Sequence, residues 1–167
     1  MNKIQEYWNI LGNINDWIKY SDTKATILLT LYGVIITIVY TNANDTLIGL
    51  NSSSWILFFS VLSIILSGLS ILFAFLCVNP SLKNNNPKSI IYFGHIQKKF
   101  KNATEYLEKT EETIKSELKY QKELTEQIHT NSKIAWKKFS YVNWSFRFFA
   151  TALISMVITI LIYLISN

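Results

Sequence analysis

Six lysines, Lys98, Lys99, Lys101, Lys119, Lys122 and Lys133, fall in a stretch that also carries Tyr106, Tyr120 and Trp136. Ammonium groups neutralise phosphates and aromatic faces stack on bases. The mixture therefore suits an anionic ligand such as a nucleotide or a short oligonucleotide. The same charges also fit a solvated helix face, and Lys137 and Lys138 fit the ordinary basic excess on the cytosolic flank of a membrane span. A second group comprises Asp22, Lys24, Thr26, Thr30 and Thr37. Asp22 and Lys24 stand where an apolar run begins, so they either snorkel to water or form a charged constriction at a pore mouth. Thr26, Thr30 and Thr37 share one helical face with Gly33, which suits close helix packing or a water-lined path.

Other chemistry is not signalled. His95 and His129 lack the acidic or cysteine neighbours of a metal site. Cys77 is the only cysteine, so neither an intramolecular disulfide nor a cysteine-based metal site is expected. No nucleophile–base pairing, phosphate-binding glycine loop or carboxylate pair stands out. The expectation is a protein with no catalytic residues, no metal and no cofactor.

The elements that must position these residues follow from how charge is distributed. The chain is 50% hydrophobic and only 16% charged, and the two properties are segregated along it. Soluble helical bundles keep charge on one face of every helix. Here Ala25–Thr41, Trp55–Val78 and Phe146–Ile165 are almost wholly apolar, at or near the length that crosses a bilayer as a helix. Tyr40, Trp55 and Trp144 lie where interfacial aromatic belts form. The segment from Asn79 to Arg147 holds thirteen Lys and Arg against seven Glu, a net +6, whereas residues 42–54 carry Asp45 and no Lys or Arg. Basic residues stay inside, so the N-terminus and the long charged segment are expected in the cytosol and Asn167 outside. A cleaved signal peptide is not expected, because the first apolar run begins late and follows a mixed-charge segment.

The first 24 residues read as a cytosolic amphipathic helix. Ile4, Tyr7, Leu11, Ile14 and Ile18 recur at spacings of three and four, widened by Trp8 and Trp17; the face suits the inner leaflet or the later cytosolic helices, and its balanced flanking charges favour the helices. Residues 25–78 then give the first two spans with a short external loop. Small hydroxylated stripes mark the spans: Ser60, Ser63, Ser67 and Ser70 on the second, Thr151, Ser155, Thr159 and Tyr163 on the third, a pattern that lets helices approach closely in lipid. Asn79–Pro87 is a loop by composition, and Ser89–Ile96 is an apolar patch that needs a partner surface. Residues 79–145 cannot be one rod. A helix from His95 to Ser145 would be ~75 Å long, whereas the connection from Asn79 to Gly94 reaches at most ~55 Å. A helical hairpin is therefore expected, bending near Thr110–Ile114, with its second arm from Glu117 running into the third span at 146–167.

Trp17-Ile18-x-x-x-Asp22-x-Lys24-Ala25 resembles the N-terminal motif of the Pycsar-type transmembrane effectors of bacterial anti-phage defence. Ile91-Tyr92-Phe93-Gly94, Tyr106-Leu107 and Gln127-Ile128-His129-x-Asn131-Ser132-Lys133-Ile134-Ala135-x-Lys137 look like the rest of that pattern, so the resemblance covers nearly the whole chain. It implies an inner-membrane effector that damages the membrane when infection is sensed, responding to a nucleotide second messenger from a partner nucleotide-synthesising enzyme. The plan is also similar to the membrane channel of Hailong-type systems, held shut by a short single-stranded DNA. Together these readings give an all-α membrane protein: three transmembrane helices, an N-terminal amphipathic helix and a cytosolic hairpin continuous with the last span. The expected function is a homo-oligomeric pore, a tetramer by preference, in which Lys98, Lys99, Lys101, Lys119, Lys122 and Lys133 bind the ligand and Asp22, Lys24, Thr26, Thr30 and Thr37 form the gate. The alternative is a membrane scaffold that recruits a cytosolic partner through the hairpin.

Overall fold

The computed structural model describes residues 3–43, 53–79 and 89–166, and the expected loop residues 44–52 and 80–88, with Asn167, lie outside these. Its elements are all helices: α1 (Lys3–Thr41), α2 (Ser54–Val78), α3 (Phe93–Lys99), α4 (Ala103–Ile114) and α5 (Glu117–Ser166). α1, α2 and α5 are each long and apolar enough to cross a membrane. Only 17%, 17% and 11% of their most apolar windows is buried within the chain. A water-soluble bundle would cover those side chains, so the apolar surface calls for lipid or further protein.

Two sequence expectations are redrawn. The N-terminal helix and the first span form one helix, α1, because no Pro interrupts residues 3–41. The charged segment has two breaks where one was expected. One is at Lys115–Ser116, just beyond the predicted bend. The other is at Phe100–Asn102. There Asn102 accepts a hydrogen bond from the Glu105 N–H (2.8 Å), while the Glu105 carboxylate accepts one from the Lys101 N–H (2.8 Å). This reciprocal capping satisfies donors that a helix start leaves open.

The described residues fall into two compact units, with boundaries inside α1 and inside α5. In the first, Met1–Lys19 packs with Pro80–Lys137. Leu11, Ile90, Phe100 and Leu124 are its buried apolar residues, and Ile4, Tyr7, Ile14 and Ile18 are half-buried. Trp8 Nε1 donates to the Tyr120 hydroxyl (3.1 Å) and Asn131 to Asn15 (2.7 Å). The Ser89–Ile96 patch is tied down at Ser89, Ile90 and His95, while Phe93 stays exposed. The Ser89 N–H donates to buried His95 Nδ1 (3.0 Å), and the Tyr106 hydroxyl donates to the Ile90 carbonyl (2.9 Å).

The second unit, Tyr20–Asn79 with Lys138–Asn167, holds the three apolar segments. Its core is Ala25, Leu28 and Tyr32 of α1, Ala74 and Cys77 of α2 and Val142 of α5. Tyr32 meets Phe149 edge to face at 5.4 Å. The serine stripes join α2 to α5. Ser70 and Ser145 each donate to the other's backbone carbonyl (2.8 and 2.6 Å), Ser155 donates to the Phe59 carbonyl (2.8 Å), and Ser63 to the Ala152 carbonyl (3.2 Å). Lipid offers these hydroxyls no partner, so the opposing backbone supplies one.

Candidate functional site

Three chain segments meet at one end of the second unit: α1 just before its apolar run, the last turn of α2, and α5 just before its own. Cys77 lies in that last turn, where carbonyls lack an intrahelical donor. The ammonium of Lys138 fills the gap, donating to the Cys77 carbonyl at 2.7 Å. The same ammonium forms an ion pair with the Asp22 carboxylate. The Lys138 side chain is only 10% exposed and that of Asp22 37%, so the pair is shielded on the lysine side and open on the aspartate side. Ser21 is fully buried beside it, and its carbonyl receives the Cys77 thiol at 3.6 Å. One cation thus ties α1 to α5 while neutralising the partial negative charge at the C-terminus of α2.

Asp22 and Lys24, expected to act together, have separate partners. Lys24 lies over the Tyr20 ring, 4.2 Å from its centroid. Thr26, Thr30 and Thr37 are exposed, as is Gly33, on the side of α1 away from Ala25, Leu28 and Tyr32. Their hydroxyls donate to the carbonyls of Asp22, Thr26 and Gly33, at 2.9, 3.0 and 2.9 Å. Their donors are used within the helix while their oxygens still present polar surface.

Of the six candidate ligand-binding lysines, Lys98, Lys101, Lys119, Lys122 and Lys133 are exposed and Lys99 is half-buried. Lys119 is engaged, because its ammonium meets the Glu112 carboxylate at 2.8 Å and Lys109 meets the other oxygen at 2.9 Å. Lys119 first, then Lys109, holds the Glu112 carboxyl down at about 2, against an ordinary value of 4.5. A phosphate arriving at Lys119 competes with Glu112, whereas Lys122 and Lys133 are open to it. Among the described residues no group of His, Cys, Asp and Glu is placed to hold a metal ion.

Lys138 is the residue that sequence reasoning missed, since the basic flank of a span already accounted for it. A signal was present. Lys138, Val142, Ser145, Phe149, Ala152 and Ser155 recur at spacings of three and four, and all are buried or half-buried. A lysine at the head of a packed stripe must find an acceptor.

Comparison with known proteins bears on what this arrangement serves. A family model described as the Pycsar effector protein domain matches residues 6–165. The Pycsar effector protein PtPycTM of Propioniciclava tarda is 24% identical over 148 residues, which cover 84% of this chain and 70% of that protein. No solved structure matches the chain. The match takes in nearly all of α1, all of α2 and nearly all of α5, the helices able to cross a membrane, together with Asp22, Cys77 and Lys138. The chain belongs to the Pycsar effector protein family, the transmembrane effectors of anti-phage defence.

Proposed function

We propose that this chain forms a homo-oligomeric pore in the bacterial inner membrane, gated by a nucleotide at its cytosolic helices and opened to arrest the infected cell. The observation that carries this reading is the threonine face of α1. Ser63 and Ser70 of α2 and Ser155 of α5 are turned inward and engaged with the opposing helix. Thr26, Thr30, Gly33 and Thr37 are exposed, and among the described residues nothing lies within 4 Å of a Cβ placed on Gly33. A polar row at the surface of a membrane segment is stable against another copy of itself or against water. Three spans are few to enclose an ion path, and a closed ring of subunits, a tetramer by preference, solves this.

A cyclic nucleotide made by a partner cyclase is the ligand class that family membership favours, with a short single-stranded DNA as the other candidate. Lys98, Lys99, Lys101, Lys122 and Lys133 are its phosphate contacts, and Lys119 joins them by exchanging Glu112. The helices α3, α4 and the charged half of α5 form a hairpin on the cytosolic side, with the N-terminus, and the C-terminus lies outside. The ligand acts by binding open and closed states unequally. The scaffold alternative draws on Phe93, Leu118 and Trp136, which are 68%, 77% and 77% exposed outside the apolar windows and suit docking to protein.

Thr30→Trp separates the two readings. With insertion verified by membrane fractionation, the pore reading expects this variant to change host-cell toxicity at equal expression. Toxicity equal to the unmodified protein removes α1 from the pore and favours the scaffold.

A further inference from the structure

Within the second unit, the Lys138 ammonium joins α1 to both α2 and α5 at the Asp22 end of the spans. Ser21 and Ala25, which flank Asp22, are fully covered but small, so they add little dispersion energy. The Cys77 thiol contact to the Ser21 carbonyl, at 3.6 Å, is long and its donor weak. The hydroxyl bonds between α2 and α5 do not include α1. Side chains that leave lipid for protein gain little hydrophobic free energy, so a polar link weighs more here than in water. Deeper in the unit α1 is held by Leu28 and by Tyr32 against Phe149, which together can serve as a pivot.

We propose that the Lys138 ammonium is an autoinhibitory latch. Gripped by the Asp22 carboxylate of α1 and the Cys77 carbonyl of α2, it keeps the three spans closed at this end, and the active state requires Asp22 and Lys138 to part. The proposal rests on the functional reading above and names the contact that regulates it. An ion pair suits a latch better than an apolar contact does. A buried pair adds little net stability over apolar packing, yet half-breaking it is costly, which gives two distinct states. The 37% exposure of Asp22 lets water take up its carboxylate on release, while Lys138 keeps the Cys77 carbonyl. Thr26 lies one turn beyond Asp22 and bonds its carbonyl, so a swing of α1 about Leu28 and Tyr32 carries the threonine face with it.

The test uses the full-length protein carrying Cys77→Ala, reconstituted in liposomes, with Lys138→Met, Asp22→Asn, both together, and Lys138→Arg. Two quantities are read without nucleotide: dye leakage, and the distance between nitroxides at Thr23→Cys and Asn143→Cys, two exposed positions on α1 and α5. Each single substitution is expected to raise leakage about tenfold or more, because removing one partner strands the other. The double substitution is expected to leak no more than either single one, the mark of a shared contact. Lys138→Arg keeps the charge and stays near the unsubstituted background. The nitroxide distances shift to longer values in the leaky variants. If Lys138→Met fails to insert, the isosteric Asp22→Asn carries the test. Distances unchanged in the inserted variants overturn the latch, even when nucleotide still triggers leakage. Longer distances with tight liposomes throughout uphold the latch and overturn the pore.

Discussion

An ammonium as covered as Lys138 is stable only while its acceptors stay in place, and here they come from two other helices, the carboxylate of Asp22 and the carbonyl of Cys77. Sequence could not pair Asp22 with Lys138, which stand 116 positions apart, because nothing local to either residue records the other. Asp22 was legible as a charge that needed an explanation at the edge of a span, and so was the threonine row; their surroundings were not. Glu112 makes the same point outside the membrane segments. Lys119 and Lys109 grip its two oxygens at 2.8 and 2.9 Å and lower its carboxyl from 4.5 to about 2. A depressed folded value means that the stabilising contribution is complete above 4.5 and is lost as pH falls towards and through about 2. A carbon-13 titration of the side-chain carboxyls is expected to show Glu112 still ionised at pH 3.5, and Lys119→Gln is expected to raise it towards the ordinary range. Titration near 4.5 in the unmodified protein would remove the double clamp.

At the scale of elements, long apolar windows announced the three spans, since their length and lack of charge leave few alternatives. The boundaries of the charged helices were less legible. Asn102-Ala103-Thr104-Glu105 carries the capping pattern that ends α3 from α4, but the good helix formers around it hid the break. The continuity of α1 from Lys3 was hidden in turn by the change from charged to apolar composition, which alters the surroundings of a helix without stopping it. Replacing the cap tests this directly. Asn102→Ala is expected to cost about 1 kcal/mol and to speed amide exchange in the first turn of α4, leaving the exchange of α2 unchanged. Equal exchange in both proteins would show that α4 is held by packing rather than by its cap.

For the whole molecule, the apolar surface left open on α1, α2 and α5 calls for lipid or further protein, and the outward threonine face of α1 adds a row of polar oxygens to that surface. Family membership accounts for the first as a transmembrane effector of anti-phage defence. The pore reading accounts for the second by assembling copies around that face, with the exposed lysines as the ligand's phosphate contacts and the latch at Lys138 as the contact that yields. A sequence read as one chain cannot display surfaces that act only between copies, so the proposed gate rests on residue types and exposure rather than on a shape. Pore formation is tested by leakage of ions or dye from liposomes holding the purified protein, with and without cyclic nucleotides and short single-stranded DNA. Leakage that one of these ligands switches on or off is the expected result. Tight liposomes under every condition, with insertion confirmed, would contradict the pore and leave a membrane scaffold.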